Sequence, residues 1–190
     1  GDILSEEQVC QSLILPFFNK VLGWDTEDPS EFKAQDSQKT GKRTDYTTRL
    51  NGISQFVVEV KDLRQDIRQN YQHYQQAINY AKYKEKMFAI LTNFQQFIIL
   101  RADTEDQPLQ CEVKVINLEK TADNEADFDI LWNFSKDVWS SEKGEGLQKL
   151  LRAGKKTVPV SKSLVVEMSR WRLALLNSIS RNQALNSFAD

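Results

Sequence analysis

The stretch from Arg43 to Lys61 restricts the fold more than any other. Arg43-Thr44-Asp45-Tyr46 and Val57-Val58-Glu59-Val60-Lys61 lie on either side of Asn51-Gly52, a dipeptide suited to turning one strand back on another. Strand side chains alternate between faces, so Val57, Glu59 and Lys61 share one face and Phe56, Val58 and Val60 the other. The second face is apolar enough to pack on a core. The first sets a carboxylate beside an ammonium, where the neighbouring strand can add Asp45. Converging carboxylates are costly unless a cation joins them or one takes a proton. All-oxygen ligation suits Mg²⁺ or Mn²⁺, and the Val60 carbonyl is a further hard oxygen within the same stretch. A cation held there acidifies water and neutralises phosphate oxygens, while Lys61 can orient that water or stabilise developing charge.

Register decides whether Asp45 can join. A regular two-residue turn pairs Leu50 with Ile53 and, carried on, Asp45 with Val58, on the face away from Glu59. A three-residue loop, Leu50-Asn51-Gly52, with Gly52 left-handed in a bulge, sets Asp45 opposite Val57 and diagonal to Glu59. The expectation is that bulged turn, or an equivalent one-residue change of register before Asp45.

Asp45 followed after thirteen residues by Glu59-Val60-Lys61 resembles the PD-(D/E)xK nuclease superfamily, with Thr44 where the name has Pro. Ser5-Glu6-Glu7-Gln8, Leu13-Ile14-Leu15-Pro16 and Leu22-Gly23-Trp24-Asp25 resemble the opening helix of nuclease domains in Type I restriction subunits and in fused (Type IIG) restriction–methyltransferases. Gln76-Ala77-Ile78-Asn79-Tyr80 is similar to the Q-x-x-x-Y element that follows the E-x-K strand in one branch. Glu167 to Arg172 and Ile179 to Asn182 look like the start of a connector to a methyltransferase.

The resemblance implies a restriction endonuclease domain that hydrolyses double-stranded DNA to 5′-phosphate and 3′-hydroxyl ends. Mg²⁺, with Mn²⁺ as substitute, would be held by Asp45 and Glu59, with Glu6 and the Val60 carbonyl as added ligands. Lys61 and Gln76 would assist catalysis, with Tyr80 beside them. Methyltransferase and target-recognition domains would lie outside this stretch of chain. The alternative is a catalytically silent nuclease-fold module for DNA binding or assembly. The intact Asp45, Glu59 and Lys61 set argues against it, because a structural role does not require that grouping.

The rest of the chain reads as helices and strands around this hairpin. Residues 5–22 carry apolar residues at helical spacing, with Ser5 as cap, Pro16 as a kink and Gly23 as terminator. Glu6 lies one turn before Cys10, on the apolar stripe. Residues 25–42 read as a loop with a short helix near Glu31–Gln35. Residues 66–86 read as a helix with Ile67, Tyr71, Tyr74, Ile78 and Ala81 on one stripe and Gln69, Gln72, Gln76, Tyr80 and Tyr83 nearly opposite. Residues 88–93, 95–100 and 111–118 read as strands, 124–139 and 161–182 as helices, and 141–157 as a flexible basic segment. The expectation is an α/β domain over 1–157, with a mixed central sheet of four or five strands flanked by helices, and a helical connector over 158–190.

With 190 residues, 40% hydrophobic and 27% charged, the chain suffices for one sizeable domain. A net charge of −2 argues against a domain that grips nucleic acid tightly by itself. Cys10 and Cys111 make neither a disulfide framework nor a metal-ligand spacing. No apolar run approaches a membrane span and no leader pattern opens the chain, so a cytoplasmic location is expected.

Overall fold

Among the described residues, six strands form one mixed sheet in sequential order: β1 (Phe32–Ser37), β2 (Arg43–Leu50), β3 (Ile53–Val60), β4 (Phe88–Thr92), β5 (Gln96–Arg101) and β6 (Glu112–Asn117). This is a computed structural model, and it describes residues 5–37, 43–68, 70–121, 124–141 and 150. The chain divides into two units after Gly154. The expected final helix over 161–182, most of the basic segment over 141–157, and Gln69 lie outside the described residues.

Every strand pair is antiparallel except β3 with β4, which is parallel. A parallel step needs a crossover, here α3 (Tyr71–Tyr83). The α/β class expected from the sequence is the one observed. The sixth strand is β1, which the sequence reads as a loop with a short helix. It is an edge strand whose pairing comes from β2, so its own side-chain pattern carries little signal.

Apolar residues cover both faces of the sheet. On one, Phe56, Val58, Val60, Phe88, Ile90 and Phe97 pack with Val9, Ile14, Phe18, Trp24 and Phe134. On the other, Val57, Ala89, Leu91, Ile98 and Leu100 pack under Tyr74, Ala77, Ile78 and Ala81 of α3. From Phe56 to Val60, strand β3 is therefore buried on both sides, along the part that pairs in parallel with β4.

Ser5 caps the first helix in a capping box, its Oγ accepting the Gln8 N–H at 3.4 Å while Gln8 Oε1 accepts the Ser5 N–H at 2.9 Å. Helix α1 (Glu6–Val9) runs through a π-helical turn, Cys10–Ile14, into α2 (Leu15–Lys20). The kink expected at Pro16 is taken up as this wide turn, in which the Leu15 N–H reaches back to the Cys10 carbonyl. A proline has no N–H for the carbonyl four residues back and crowds it, so widening the preceding turn relieves the misfit. Gly23, at φ 76°, ends the run, and the Trp24 N–H closes on the Phe18 carbonyl at 3.0 Å.

Two helices differ from the sequence reading. Helix α3 starts at Tyr71, because the Asn70 side chain caps it by accepting the Gln72 and His73 N–H groups. Ile67, read as part of its stripe, is buried from the preceding loop instead. A four-residue helix, α4 (Leu118–Thr121), follows β6, and the segment 124–139 then forms α5 (Glu125–Trp132) and α6 (Lys136–Trp139) rather than one helix. The break is fixed by the Trp24 indole N–H, which takes the Phe134 carbonyl at 2.8 Å, and by Ser135, which caps α6. Among the described residues no helix is long and apolar enough to cross a membrane.

Phe88 is fully buried at the centre of the first layer, with ring centroids of Phe134 at 6.1 Å and Trp139 at 6.4 Å. Phe88→Ala is expected to lower stability by about 3–5 kcal/mol through lost burial and a residual cavity. Urea unfolding followed by tryptophan fluorescence measures it, and a loss below about 1 kcal/mol contradicts this packing.

Candidate functional site

The β2–β3 hairpin closes on Asn51 and Gly52, at φ 51° and 76°, and Leu50 pairs with Ile53. This is the two-residue turn, so the expected three-residue bulged loop is corrected: both turn residues accept the left-handed conformation that a type I′ turn demands. The one-residue change of register occurs further along. Arg49 pairs with Ser54, yet Thr47 pairs with Val57 and Tyr46 with Val58. Thr48 alone therefore faces both Gln55 and Phe56, a bulge on β3. The printed pairing ends at Tyr46 and Val58, and one step further alternation brings Asp45 onto the same face as Glu59. The expected placement of Asp45 opposite Val57 is corrected, since Thr47 takes that position, while the one-residue change of register before Asp45 is present.

Asp45 Oδ2 accepts the Val60 N–H at 2.7 Å, so the carboxylate lies across the end of β3. Lys61 Nζ donates to Glu59 Oε1 at 2.6 Å. Glu59 is 1% exposed and Lys61 7%. Glu59 Oε2 is buried and has no hydrogen-bond partner among the described residues. The strand ends are tied down, with the Lys61 N–H bonded to the Thr92 carbonyl at 2.8 Å. Asn93 Nδ2 donates to the Gln65 carbonyl at 3.0 Å, which fixes the loop after Lys61.

Helix α3 covers the face that carries Glu59, and Gln76 Nε2 donates to the Tyr80 hydroxyl at 3.2 Å. The Tyr80 phenol is raised by burial, with smaller contributions from Glu59 and Asp45, which puts the Gln76–Tyr80 pair within the field of the carboxylates. Glu6 approaches from the opposite layer, exposed in the first turn of α1. Burial raises its acid, and Lys61, Asp45 and Asp62 all act on it. Among the described residues no three His, Cys, Asp or Glu side chains converge closely enough to hold an ion. The structure thus joins Asp45, Glu59 and Lys61, sets Gln76 and Tyr80 alongside, and leaves Glu6 at the margin.

Two residues near the site carry no sequence signal. Thr48 faces the bulge. His73 lies one turn before Gln76 on α3, its basicity lowered by burial and then by Lys61. A single Thr or His on a regular pattern gives no reason to single it out; only the bulge and the proximity of Lys61 do.

Burial pushes the Glu59 carboxyl up to about 8, with Asp45 adding to the rise and Lys61 opposing it. Burial also raises Asp45, against the Val60 N–H and Lys61. For Lys61 burial works the other way, but Glu59 and Asp45 hold the ammonium above its usual value. An unfolded Glu titrates near its ordinary value of 4.5, so the folded form takes up a proton between there and about 8. The Glu59 contribution to stability without metal should be fully present below pH 4.5 and be lost as pH rises through about 8. Glu59→Gln should flatten that slope in metal-free unfolding curves; an unchanged slope would show that Glu59 is not the titrating group.

Residues 30–108 match the family model described as Type I restriction enzyme R protein N terminus. That segment holds Asp45, Glu59, Lys61, Gln76 and Tyr80, while Glu6 lies outside it. The match bears out the resemblance to restriction-enzyme N-terminal domains. Among solved structures, one fragment described as an HsdR subunit of a type I restriction enzyme from Vibrio vulnificus is similar at 22% identity, with a TM-score of 0.44. The similarity covers 70% of this chain and 29% of that one. No curated protein matches the chain.

Proposed function

We propose that this chain supplies the divalent-metal-dependent DNA endonuclease domain of a restriction–modification enzyme, hydrolysing phosphodiester bonds in double-stranded DNA. The observation that carries the reading is Asp45 held on the Val60 N–H at 2.7 Å, with Lys61 Nζ on Glu59 Oε1 at 2.6 Å and Glu59 Oε2 buried without a partner among the described residues. A buried carboxylate oxygen left unpaired is costly, and a hard cation would satisfy it. Two carboxylates suffice for Mg²⁺, whose remaining positions go to water and phosphate. Asp45 and Glu59 would hold Mg²⁺ or Mn²⁺, with the Val60 carbonyl and Glu6 as supplementary oxygens. When bound, such an ion supplies an acidified water and neutralises charge on the phosphate.

The chain's own groups do the rest. The Val60 N–H fixes one Asp45 oxygen, leaving the other free to face the ion. Lys61, held by Glu59, is positioned to orient the attacking water and to stabilise charge on the phosphate oxygens. Gln76, steadied by Tyr80, can hold the phosphate or the Lys61 ammonium. DNA and further restriction–modification subunits or domains, including methyltransferase and target-recognition functions, would be the partners. The acidic balance of the chain fits a domain that relies on them for tight binding.

Plasmid cleavage with Mg²⁺ or Mn²⁺ tests the reading. Asp45→Ala and Glu59→Gln are each expected to lose activity by roughly 10²–10³-fold or more, while circular dichroism stays that of the parent. Lys61→Ala should lose cleavage to a similar extent yet still bind Mn²⁺ in calorimetry. Cleavage at the parental rate by either carboxylate variant refutes the site. A parent that bends or binds DNA but never cuts it favours the silent module.

DNA binding by this chain alone should be weak, insensitive to sequence, and lost by about 200 mM salt. A footprint confined to one short sequence would show that target choice resides here.

A further inference from the structure

The turn chosen by Asn51-Gly52 and the placement of Asp45 conflict, and one residue reconciles them. Continued without interruption, the pairing of Leu50 with Ile53 would carry Asp45 opposite Val58. Its carboxylate would then point into the apolar layer that holds Phe56, Val58 and Val60, away from Glu59. The bulge at Gln55–Phe56 prevents this. A bulge leaves the N–H and C=O of its extra residue without ladder partners, and here that residue lies where water does not reach: Phe56 and Thr48 are both 0% exposed.

The Thr48 hydroxyl meets both needs. Its Oγ1 accepts the Phe56 N–H at 3.2 Å and donates to the Phe56 carbonyl at 3.1 Å. A hydroxyl can donate and accept at once, and no aliphatic side chain of the same shape can do either. From the other side the Phe56 ring is locked by Trp139 at 4.9 Å, Phe134 at 5.0 Å and Trp24 at 5.7 Å, so the bulged residue cannot slide. The bond from the Val60 N–H to Asp45 Oδ2 exists in the shifted register.

We propose that Thr48 is a positioning residue, whose buried hydroxyl holds the β3 bulge and thereby sets the Asp45 carboxylate on the Glu59 face. The consequence for catalysis rests on the reading of Asp45 and Glu59 given above. The geometric part does not, and the Val60 amide reports it directly.

The test is amide hydrogen exchange by NMR on the ¹⁵N-labelled chain, without metal or DNA. Thr48→Val keeps the shape and removes the hydroxyl; Thr48→Ser keeps the hydroxyl. In Thr48→Val the Phe56 and Val60 amides should exchange roughly ten-fold faster or more, while Ile90 and Leu91 on β4 keep parental protection. Thr48→Ser should stay within about two-fold of the parent at Val60. Parental protection at Val60 in Thr48→Val, or an equal loss in Thr48→Ser, overturns the proposal.

Deleting Gln55 guards against a variant that merely unfolds. It removes one of the two residues that face Thr48 and leaves Asp45 on the Glu59 face in a regular hairpin. In that background Thr48→Val should leave Val60 protection unchanged. A further loss there marks a general packing role and overturns the proposal. Cleavage of plasmid by the same variants should follow the Val60 amide, with Thr48→Ser restoring what Thr48→Val loses. If the parent does not cleave, the nuclease reading falls, and the exchange results still decide the role of Thr48.

Discussion

Glu59 and Lys61 are ionisable groups almost closed off from water at the end of a strand covered on both faces. Burying either alone would be strongly unfavourable, and each is tolerable only because the other lies at 2.6 Å. Even so, the pair leaves Glu59 Oε2 without a partner among the described residues, and Asp45 brings a second carboxylate to the same place. Nothing in the stability of the sheet calls for this. The two apolar layers on its faces supply the burial. The core thus surrounds a cluster of perturbed ionisable groups, a pattern common at functional sites.

The one parallel step in the sheet explains why the groups meet where they do. Because β3 and β4 run the same way, their C-terminal ends, Val60 and Thr92, lie side by side. The chain must cross over the sheet between them, and α3 is that crossover. The face of the sheet that carries Glu59 is therefore the face on which α3 lies, and Gln76 and Tyr80 arrive beside the carboxylates as a result of connectivity. Crevices beyond the carboxyl ends of parallel strands are common ligand sites for the same topological reason. The π-helical turn ahead of Pro16 then determines how the first turn of α1, with Glu6, approaches from the opposite layer.

Much of this was legible in the chain. Ser5, Gly23 and Asn51-Gly52 act through local backbone chemistry, and each does in the structure what its residue type favours. The strands around Ile90, Ile98 and Val115 follow from apolar and β-branched runs. Less legible were β1, which pairs as an edge strand with little pattern of its own, and the split between α5 and α6, which depends on the Trp24 indole reaching Phe134 from far away in sequence. The start of α3 is not legible in the chain because Ile67 continues the helical stripe, whereas the Asn70 side chain caps the helix only after it.

By itself the sequence determined that Glu59 and Lys61 share a strand face, because alternation is a property of any extended backbone. It also determined that Asn51-Gly52 would turn the chain tightly. It did not determine that Asp45 joins them. That depends on where one extra residue is absorbed between the turn and the strand end, and a bulge has no local signature. Its position is stable only where a buried hydroxyl can satisfy the freed backbone groups of Phe56 and a cage of aromatic rings can hold the Phe56 side chain. Both conditions come from residues brought together by the fold, so the site was completed by tertiary structure alone.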